Sequence, residues 1–288
     1  MSDDKNPSQV TKGRILTVQV EPMPSDASIE NRIISAGWLM SEMDKAAGWR
    51  ADEYIYQGEP ASNGRAVTVG IDAMAFKKPA YARDLVQIFT EVARQGRSSL
   101  TIKTEAWVTH RKDRIVEKMA EGLITFVAVD ATGKSMEIKT NSDLQSQASS
   151  ASVAGRKGPD SQAAVIVPRG DLILHRKPTK KDRNPKGDIF GGWTLSRMDD
   201  ACIQAAVRHT GNKVATIALD TMKFHKPLYP GENVNIYTEI MRTGATSIAI
   251  NVEAWAQRKG GRQEKITDGL FTYVAVDKNF KPVVFSGP

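Results

Sequence analysis

Two aspartates stand at matching places in a phrase that occurs twice in the chain. Asp44 lies in AGWLMSEMDKAA, and Asp199 lies in GGWTLSRMDDAC, 155 residues further on. Both phrases predict an apolar helix that carries one carboxylate. Burying a carboxylate is costly unless another group pairs with it or uses it, and burial raises its pKa. Because a carboxylate of raised pKa can take a proton from water, both aspartates are candidate general bases.

Glycines at the start of each phrase offer a second chemical element. Gly191 and Gly192 precede the tryptophan of the second phrase, and Gly37 holds the place of Gly192 in the first. Since glycine has no Cβ, a ligand can approach the backbone N–H groups that are unpaired in the first helical turn. Those N–H groups and the helix dipole would stabilise an oxyanion developing on a carbonyl group. The glycines equally suit a tight turn into the helix.

The repeat continues well beyond the two helices. VGIDAMAFKKPAYARD is matched by IALDTMKFHKPLYPGE, and EGLITFVAVD is matched by DGLFTYVAVD. The offset falls from 155 residues at the helix to 148 and then 147, as short loop insertions between fixed elements would produce. An internal repeat of this kind indicates one structural unit used twice, with the two copies packed on each other.

The order of hydrophobic periods is the same in both copies and predicts an α+β fold. Each copy has a short strand, one helix and four longer strands, so the helix must cover the apolar face of its sheet. The helices are predicted at about 34–48 and 190–210. Residues 131–164 are rich in Ser, Gln, Ala and Gly and predict a flexible linker. The predicted domains are therefore 13–130, the linker 131–164, and 165–288.

Composition narrows the class of protein. The chain has 288 residues and a net charge of +7. This positive charge is compatible with nucleic acid, an anionic membrane or a polyphosphorylated small molecule as partner. The basic residues are scattered without interleaved aromatics, which argues against nucleic acid. No apolar run approaches the roughly 18 residues of a membrane span, and the start of the sequence is polar, so neither a membrane span nor a signal peptide is expected. Cys202, the single cysteine, excludes an internal disulfide, so a cytoplasmic location is expected.

Motifs of other hydrolases and of metal enzymes are missing. The sequence has no Gly-x-Ser-x-Gly nucleophile motif and no Gly-x-Gly-x-x-Gly phosphate loop, and its four histidines show no metal-ligand spacing. A serine-hydrolase mechanism and a metal site are therefore not expected.

The segment NPKGDIFGGWTLSRMDDA, residues 184–201, together with LDTMKFHKP and TEIMRTGATSIAINVEAW, resembles the hotdog-fold acyl-CoA thioesterases of the YciA and cytosolic acyl-CoA hydrolase type. The resemblance implies two tandem hotdog modules, each a long central helix wrapped by an antiparallel sheet, joined into one continuous sheet. It implies hydrolysis of acyl-CoA to a free carboxylic acid and coenzyme A at the interface of the modules, with no cofactor besides the coenzyme A of the substrate. It also implies a homo-oligomer, a trimer of double-hotdog chains.

The resemblance assigns a role to Asn184. In the family this asparagine orients the attacking water and acts with the aspartate of the other module, here Asp44, while the N–H of Gly192 binds the carbonyl. The first copy departs from this pattern, because the equivalent place holds Ile29, and Asn31 could serve only in a shifted loop. We therefore expect one complete site with Asn184 and Asp44, and an impaired site around Asp199.

Residues near the nucleotide of coenzyme A are expected in two matching strand turns. By resemblance they are Arg94 and Ser98 in the first copy and Arg242 and Thr246 in the second, although ordinary hairpin turns explain them as well. Two other functions remain open at this level. One is a non-catalytic acyl-CoA sensor, and the other is a different hotdog enzyme such as a hydratase, which would need a His-Asp pair in each site.

Overall fold

The structure, a computed structural model, describes residues 13–27, 33–56, 64–139, 167–184 and 187–285. Its first half contains one long helix and five strands, which are β1 (Ile15–Val20), α1 (Ala36–Tyr56), β2 (Gly64–Phe76), β3 (Leu85–Gln95), β4 (Ser99–Thr109) and β5 (Val116–Asp130). The second half repeats this order with β6 (Asp171–Arg176), α2 (Gly191–Thr210), β7 (Lys213–Phe224), β8 (Asn233–Thr243), β9 (Ser247–Gln257) and β10 (Gln263–Val276).

The strands form one ten-stranded sheet in the order β1-β3-β4-β5-β2-β7-β10-β9-β8-β6, and its paired strands are antiparallel. The halves meet where β2 pairs with β7, with Ile71 opposite Met222 and Met74 opposite Leu219. The pairing is symmetric, because Met222 is the repeat equivalent of Met74 and Leu219 is the repeat equivalent of Ile71. The expected continuous sheet is confirmed, and it brings the two helices side by side.

Each helix lies on the sheet of its own half and also contacts the other helix. The helices approach closely at two equivalent places. A Cβ added to Gly192 would lie 2.7 Å from Ser41 Cα, and one added to Gly37 would lie 2.9 Å from Ser196 Cα. These glycines are therefore required by the close approach of the helices, whatever else they do.

Helix α1 is longer than its predicted range. It runs to Tyr56, eight residues past the Gly48 at which the sequence was expected to end it. A glycine inside a helix costs only about 1 kcal/mol. Two contacts beyond Gly48 outweigh that cost, because Ala51 is fully buried and the Tyr54 hydroxyl donates to Gln95 Oε1 at the end of β3. The sequence prediction was wrong here because it used a local signal where tertiary packing decided.

The beginning of the predicted linker packs on the first half. The N–H of Met136 donates to Ala128 O, the N–H of Ile138 donates to Arg97 O, and the Ile138 side chain is buried in the core. The C-terminal segment does the same in the second half, where Val283 N–H donates to Ala275 O. Residues 131–139 thus belong to the fold of the first half, which corrects the predicted linker boundary. Residues 140–164 lie outside the described part of the chain.

Candidate active site

The carboxylate of Asp44 lies at the start of the helix of the other half. Its Oδ2 accepts a hydrogen bond from the N–H of Gly192, in the first turn of α2, at 3.0 Å. Its Oδ1 accepts from the hydroxyl of Thr68 on β2, also at 3.0 Å. Asp44 is 4% exposed, and burial raises the pKa of its carboxyl to about 6 although both hydrogen bonds lower it. A buried carboxylate thus faces a helix N-terminus across the junction of the halves.

Asp199 occupies the symmetric position at the start of α1. Its Oδ2 accepts from the N–H of Gly37 at 2.9 Å, and its Oδ1 accepts from the hydroxyls of Thr216 at 3.0 Å and Tyr273 at 2.8 Å. The side chain is fully buried, and burial raises the pKa of the carboxyl to about 6 against the lowering effect of these donors. Each half therefore places one aspartate on the helix N-terminus of the other half.

The two carboxylates differ in one neighbour. Tyr273 donates a third hydrogen bond to Asp199, whereas the equivalent place in the first half is Phe126, which has no hydroxyl. Among the described residues, Asp199 thus has three donors and no exposed surface, and Asp44 has two donors and a small exposed fraction. Asp44 is therefore the slightly more exposed of the two buried aspartates.

The three glycines lie in the first turns of the helices, and the N–H groups of Gly192 and Gly37 are already engaged by the aspartates. The N–H of Gly192, expected to bind a substrate carbonyl, donates to Asp44 itself. Gly191, the first residue of α2, has no hydrogen-bond acceptor for its N–H within the described residues. A Cβ on Gly191 would lie 3.2 Å from Asp44 Oδ2, so this amide borders the carboxylate. Gly191 therefore supplies the available donor, and Gly192 holds the aspartate.

Asn184 lies in a tight turn that leads into α2. The turn is closed by a bridge between Arg183 and Ile189, and the N–H of Asn184 donates to Asp188 O at 2.7 Å. The side-chain Oδ1 of Asn184 accepts from the N–H of Asp188 at 3.2 Å. The Asp188 carboxylate in turn forms an ion pair with Arg65 on β2 of the first half, at 2.6 Å. The Asn184 turn is thus tied to the strand that carries Thr68, the hydrogen-bond donor of Asp44.

The corresponding turn of the first half is only partly described. It is closed by a bridge between Ala27 and Ile34, so it has one residue more than the turn between Arg183 and Ile189. Ile29 and Asn31, which the sequence comparison singled out there, lie outside the described residues. Whether Asn31 replaces Asn184 stays a prediction.

The residues expected near coenzyme A lie at the far ends of the helices. Arg94 and Ser98 flank the β3–β4 hairpin, which Tyr54 joins to the last turn of α1, ten residues beyond Asp44 or about 15 Å along the helix. Arg242 and Thr246 flank the β8–β9 hairpin, beside which Phe285 contacts His209 in the last turn of α2. A single chain does not bring these residues to the aspartates, so their role stays a prediction.

Histidine pairs with carboxylates occur away from the aspartates. His110 lies between Asp84 and Glu117, which together raise its pKa above the ordinary value against the effect of burial, and His225 contacts Asp268. The two histidines occupy different places in the repeat, and both lie in loops after strands. The arrangement gives no matched His-Asp pair at the two helix starts. Within the described residues, no group of three His, Cys, Asp or Glu side chains could hold a metal ion.

Sequence reasoning missed the donors that hold the aspartates. Thr68 and Thr216 are equivalent in VTVGID and ATIALD, so the repeat itself carried the signal. The Tyr273 and Phe126 difference was also visible, as the single change between YVAVD and FVAVD. Nothing in the sequence indicated the Arg65–Asp188 ion pair, because hydrophobic periodicity does not reveal which charged residues of the two halves meet.

Tyr273→Phe is expected to destabilise the protein by about 1.5–3 kcal/mol near pH 8, because Asp199 loses a buried hydrogen bond to its charged form. The Tyr273 hydroxyl lowers the pKa of Asp199, so its removal raises that pKa further. The loss of stability should therefore shrink as the pH falls below 6 and Asp199 becomes protonated. Denaturant unfolding at pH 5 and pH 8 measures this.

Tyr54→Phe is the matched control, since its hydroxyl donates to the neutral Gln95. Its effect should not depend on pH over this range. An equal loss at both pH values for Tyr273→Phe would contradict the assignment of an ionised Asp199.

No helix within the described residues is long and apolar enough to cross a membrane.

Comparison with known proteins places this site in a family. The Thioesterase superfamily profile matches residues 31–114 and 186–261, one segment in each half. The acyl-CoA thioester hydrolase YciA of Escherichia coli is 38% identical over 120 residues, which are 40% of this chain and 91% of that protein. The crystal structure of the hexameric thioesterase y2039 from Yersinia pestis is 38% identical, with a TM-score of 0.41, and covers 42% of this chain and all of that chain.

A second solved structure matches both halves together. An acyl-ACP thioesterase from Bacteroides thetaiotaomicron has a TM-score of 0.63, covering 89% of this chain and 96% of that chain. At 12% identity this likeness shows the fold alone. The profile matches more than half of the chain, in the same two segments that the repeat defines. The chain therefore belongs to the thioesterase superfamily.

Proposed function

We propose that the protein hydrolyses acyl-CoA thioesters to a free carboxylic acid and coenzyme A, with Asp44 as the general base. The observation that carries this proposal is the buried Asp44 carboxylate, whose Oδ2 lies 3.0 Å from Gly192 N at the start of the opposite helix. A base with a pKa of about 6 is ionised at neutral pH and still basic enough to take a proton from water. The acyl-CoA thioester hydrolase name of the Escherichia coli relative supports the same reaction.

The proposed reaction has two stages of bond exchange. Water attacks the thioester carbon and gives its proton to Asp44, while the carbonyl oxygen becomes negatively charged and is bound by the N–H of Gly191. The tetrahedral intermediate then breaks its C–S bond and releases the thiolate of coenzyme A, which takes up the proton. The positive end of the α2 dipole stabilises the oxyanion, and Asn184 orients the attacking water. No metal or further cofactor is required, because coenzyme A is part of the substrate.

The two junctions are proposed to be unequal, with catalysis at Asp44. The extra hydroxyl of Tyr273 and the full burial of Asp199 support this, because a third donor and the lack of exposed surface restrict the access of water to that carboxylate. We propose that Asp199 has a mainly structural role as a cap on the start of α1, where it accepts from Gly37 N–H.

The assembly is part of the same proposal. Each half is taken as a hotdog module with its helix wrapped by the sheet, within the domains 13–139 and 165–288, and three chains form a trimer. The hairpin residues Arg94, Ser98, Arg242 and Thr246 would then contact coenzyme A bound at a neighbouring chain. Exposed apolar side chains such as Met241, 55% exposed beside the β8–β9 hairpin, are compatible with a subunit contact there. The buried Cys202 suits a reducing cytoplasm.

Activity is expected to rise with pH through a value near 6 and to level off above pH 7. Burial is the main cause of the raised pKa of Asp44, and only its ionised form can accept the proton of water. Loss of the thioester absorbance, followed from pH 5 to pH 8 with acyl-CoA substrates of several chain lengths, measures both the activity and its profile. Binding of acyl-CoA without turnover would instead support a sensor, and a rate that falls over this range would contradict Asp44 as the base.

A further inference from the structure

One ion pair of the molecule connects the two halves beside the proposed catalytic site. Arg65 Nη2 and Asp188 Oδ2 are 2.6 Å apart, and the two side chains are 29% and 16% exposed. Arg65 belongs to β2 of the first half, three residues before Thr68, whose hydroxyl donates to Asp44. Asp188 belongs to the second half, three residues before Gly191 begins α2. The pair therefore joins the strand that holds the aspartate to the loop that precedes the glycines.

Asp188 is also part of the structure of the Asn184 turn. Its carbonyl oxygen accepts from the N–H of Asn184 and its own N–H donates to the Asn184 side chain, so the two residues are joined by two hydrogen bonds. Gly187 between them has a φ of 96°, which glycine adopts without strain. A movement of the Asp188 carboxylate would accordingly be passed to the Asn184 carboxamide by the turn itself.

The other junction has different residues at the two matching places. In the repeat, Arg65 corresponds to Lys213 and Asp188 corresponds to Ile33. Because isoleucine carries no charge, these two equivalent residues cannot form an ion pair with each other. The junction with the ion pair is the one that also has the better exposed aspartate and the Asn-x-x-Gly turn.

We propose that Arg65 is a positioning residue that holds the Asn184 turn of the second half against Asp44 of the first half. This inference rests on the proposed thioester hydrolysis at Asp44. An ion pair that is partly shielded from water loses less to screening than an exposed one, and a planar guanidinium fixes the direction of a carboxylate. Arg65 touches no reacting atom, so its contribution appears in the rate of the chemical step and not in binding of the acyl chain.

The experiment compares Arg65→Met, Asp188→Asn and the charge exchange Arg65→Asp with Asp188→Arg. Each single variant should lower kcat roughly 10- to 100-fold, as loss of an outer partner of a catalytic group does, with a smaller change in KM. The charge exchange should recover part of that loss, because it restores the pair in reverse. Lys213→Met, at the equivalent place of the other junction, is the matched control and should keep kcat near the wild-type value.

Hydrogen exchange supplies a readout that needs no activity. In Arg65→Met the amides of Asn184 and of residues 187–190 should exchange faster than in the wild type, while in Lys213→Met they should not. Unchanged exchange in this segment, or an unchanged kcat in both single variants, overturns the positioning role. If the wild-type protein hydrolyses no acyl-CoA but these amides still exchange faster in Arg65→Met, the proposed function is refuted and the positioning role is retained. The two failures are therefore distinguishable.

Discussion

Asp44→Asn is expected to lower kcat for thioester hydrolysis by roughly 10²- to 10⁴-fold, the usual contribution of a general base. The carboxamide can keep the fold, because its oxygen can accept from Gly192 N–H and its nitrogen can donate to the Thr68 hydroxyl. What the variant loses is the capacity to take a proton from water. Thiol release by the purified variant, with circular dichroism as a check of folding, measures the effect.

Asp199→Asn is the matched variant at the other junction. Both variants replace a carboxylate by a carboxamide that has similar hydrogen-bond donors around it. In Asp199→Asn, however, a large part of the activity should remain, because Asp199 is enclosed by Thr216, Tyr273 and Gly37. Equal losses in the two variants would refute the inequality of the sites. A fully active Asp44→Asn would refute the proposed mechanism.

Gly192→Ala is expected to destabilise the protein by about 1–3 kcal/mol and to remove most of the activity. The new Cβ would lie 2.6 Å from Ser41 Oγ and 2.7 Å from Ser41 Cα. The hydroxyl can rotate away, but the backbone cannot, so the two helices must move apart. Their separation would also lengthen the hydrogen bond from Gly192 N–H to Asp44. The same substitution should therefore lower both the stability and the activity. Thermal unfolding and thiol release measure the two effects.

Gly48→Ala provides the contrast within the first helix. Its Cβ would lie 3.7 Å from the Phe126 ring, an ordinary contact, and alanine is favoured over glycine in a helix by up to about 1 kcal/mol. This variant should therefore be more stable than the wild type and equally active. A Gly192→Ala protein as stable as the wild type would show that the helices are not in close contact in solution.

The proposed mechanism gives the two junctions of the duplicated unit different roles. Each aspartate accepts from the N–H of a glycine in the opposite helix, so both contribute to holding the halves together. In one junction the Tyr273 hydroxyl completes the shell of donors around Asp199. In the other, Phe126 leaves Asp44 with two donors, and the Asn184 turn is tied to the same strand by Arg65. Under the proposed mechanism, the junction with Asp199 is structural and the junction with Asp44 provides the carboxylate for catalysis.

The sequence by itself determined the repeat, the order of elements and the two aspartates. A helical period and strand alternation are local properties, so the positions of α1, α2 and the strands could be predicted to within a few residues at most ends. The matched phrases around Asp44 and Asp199 singled out the carboxylates without any structure. The family resemblance, confirmed by the profile match to both halves, added the fold and the reaction class.

The tertiary structure alone decided which groups meet. The pairing of β2 with β7 sets the two helices side by side, and only this placement puts Asp44 on Gly192 N–H and Asp199 on Gly37 N–H. The extension of α1 past Gly48 and the ion pair of Arg65 with Asp188 follow from contacts between residues far apart in the chain. Such contacts depend on the packing of whole elements, whereas hydrophobic periodicity records only which face of one element is buried.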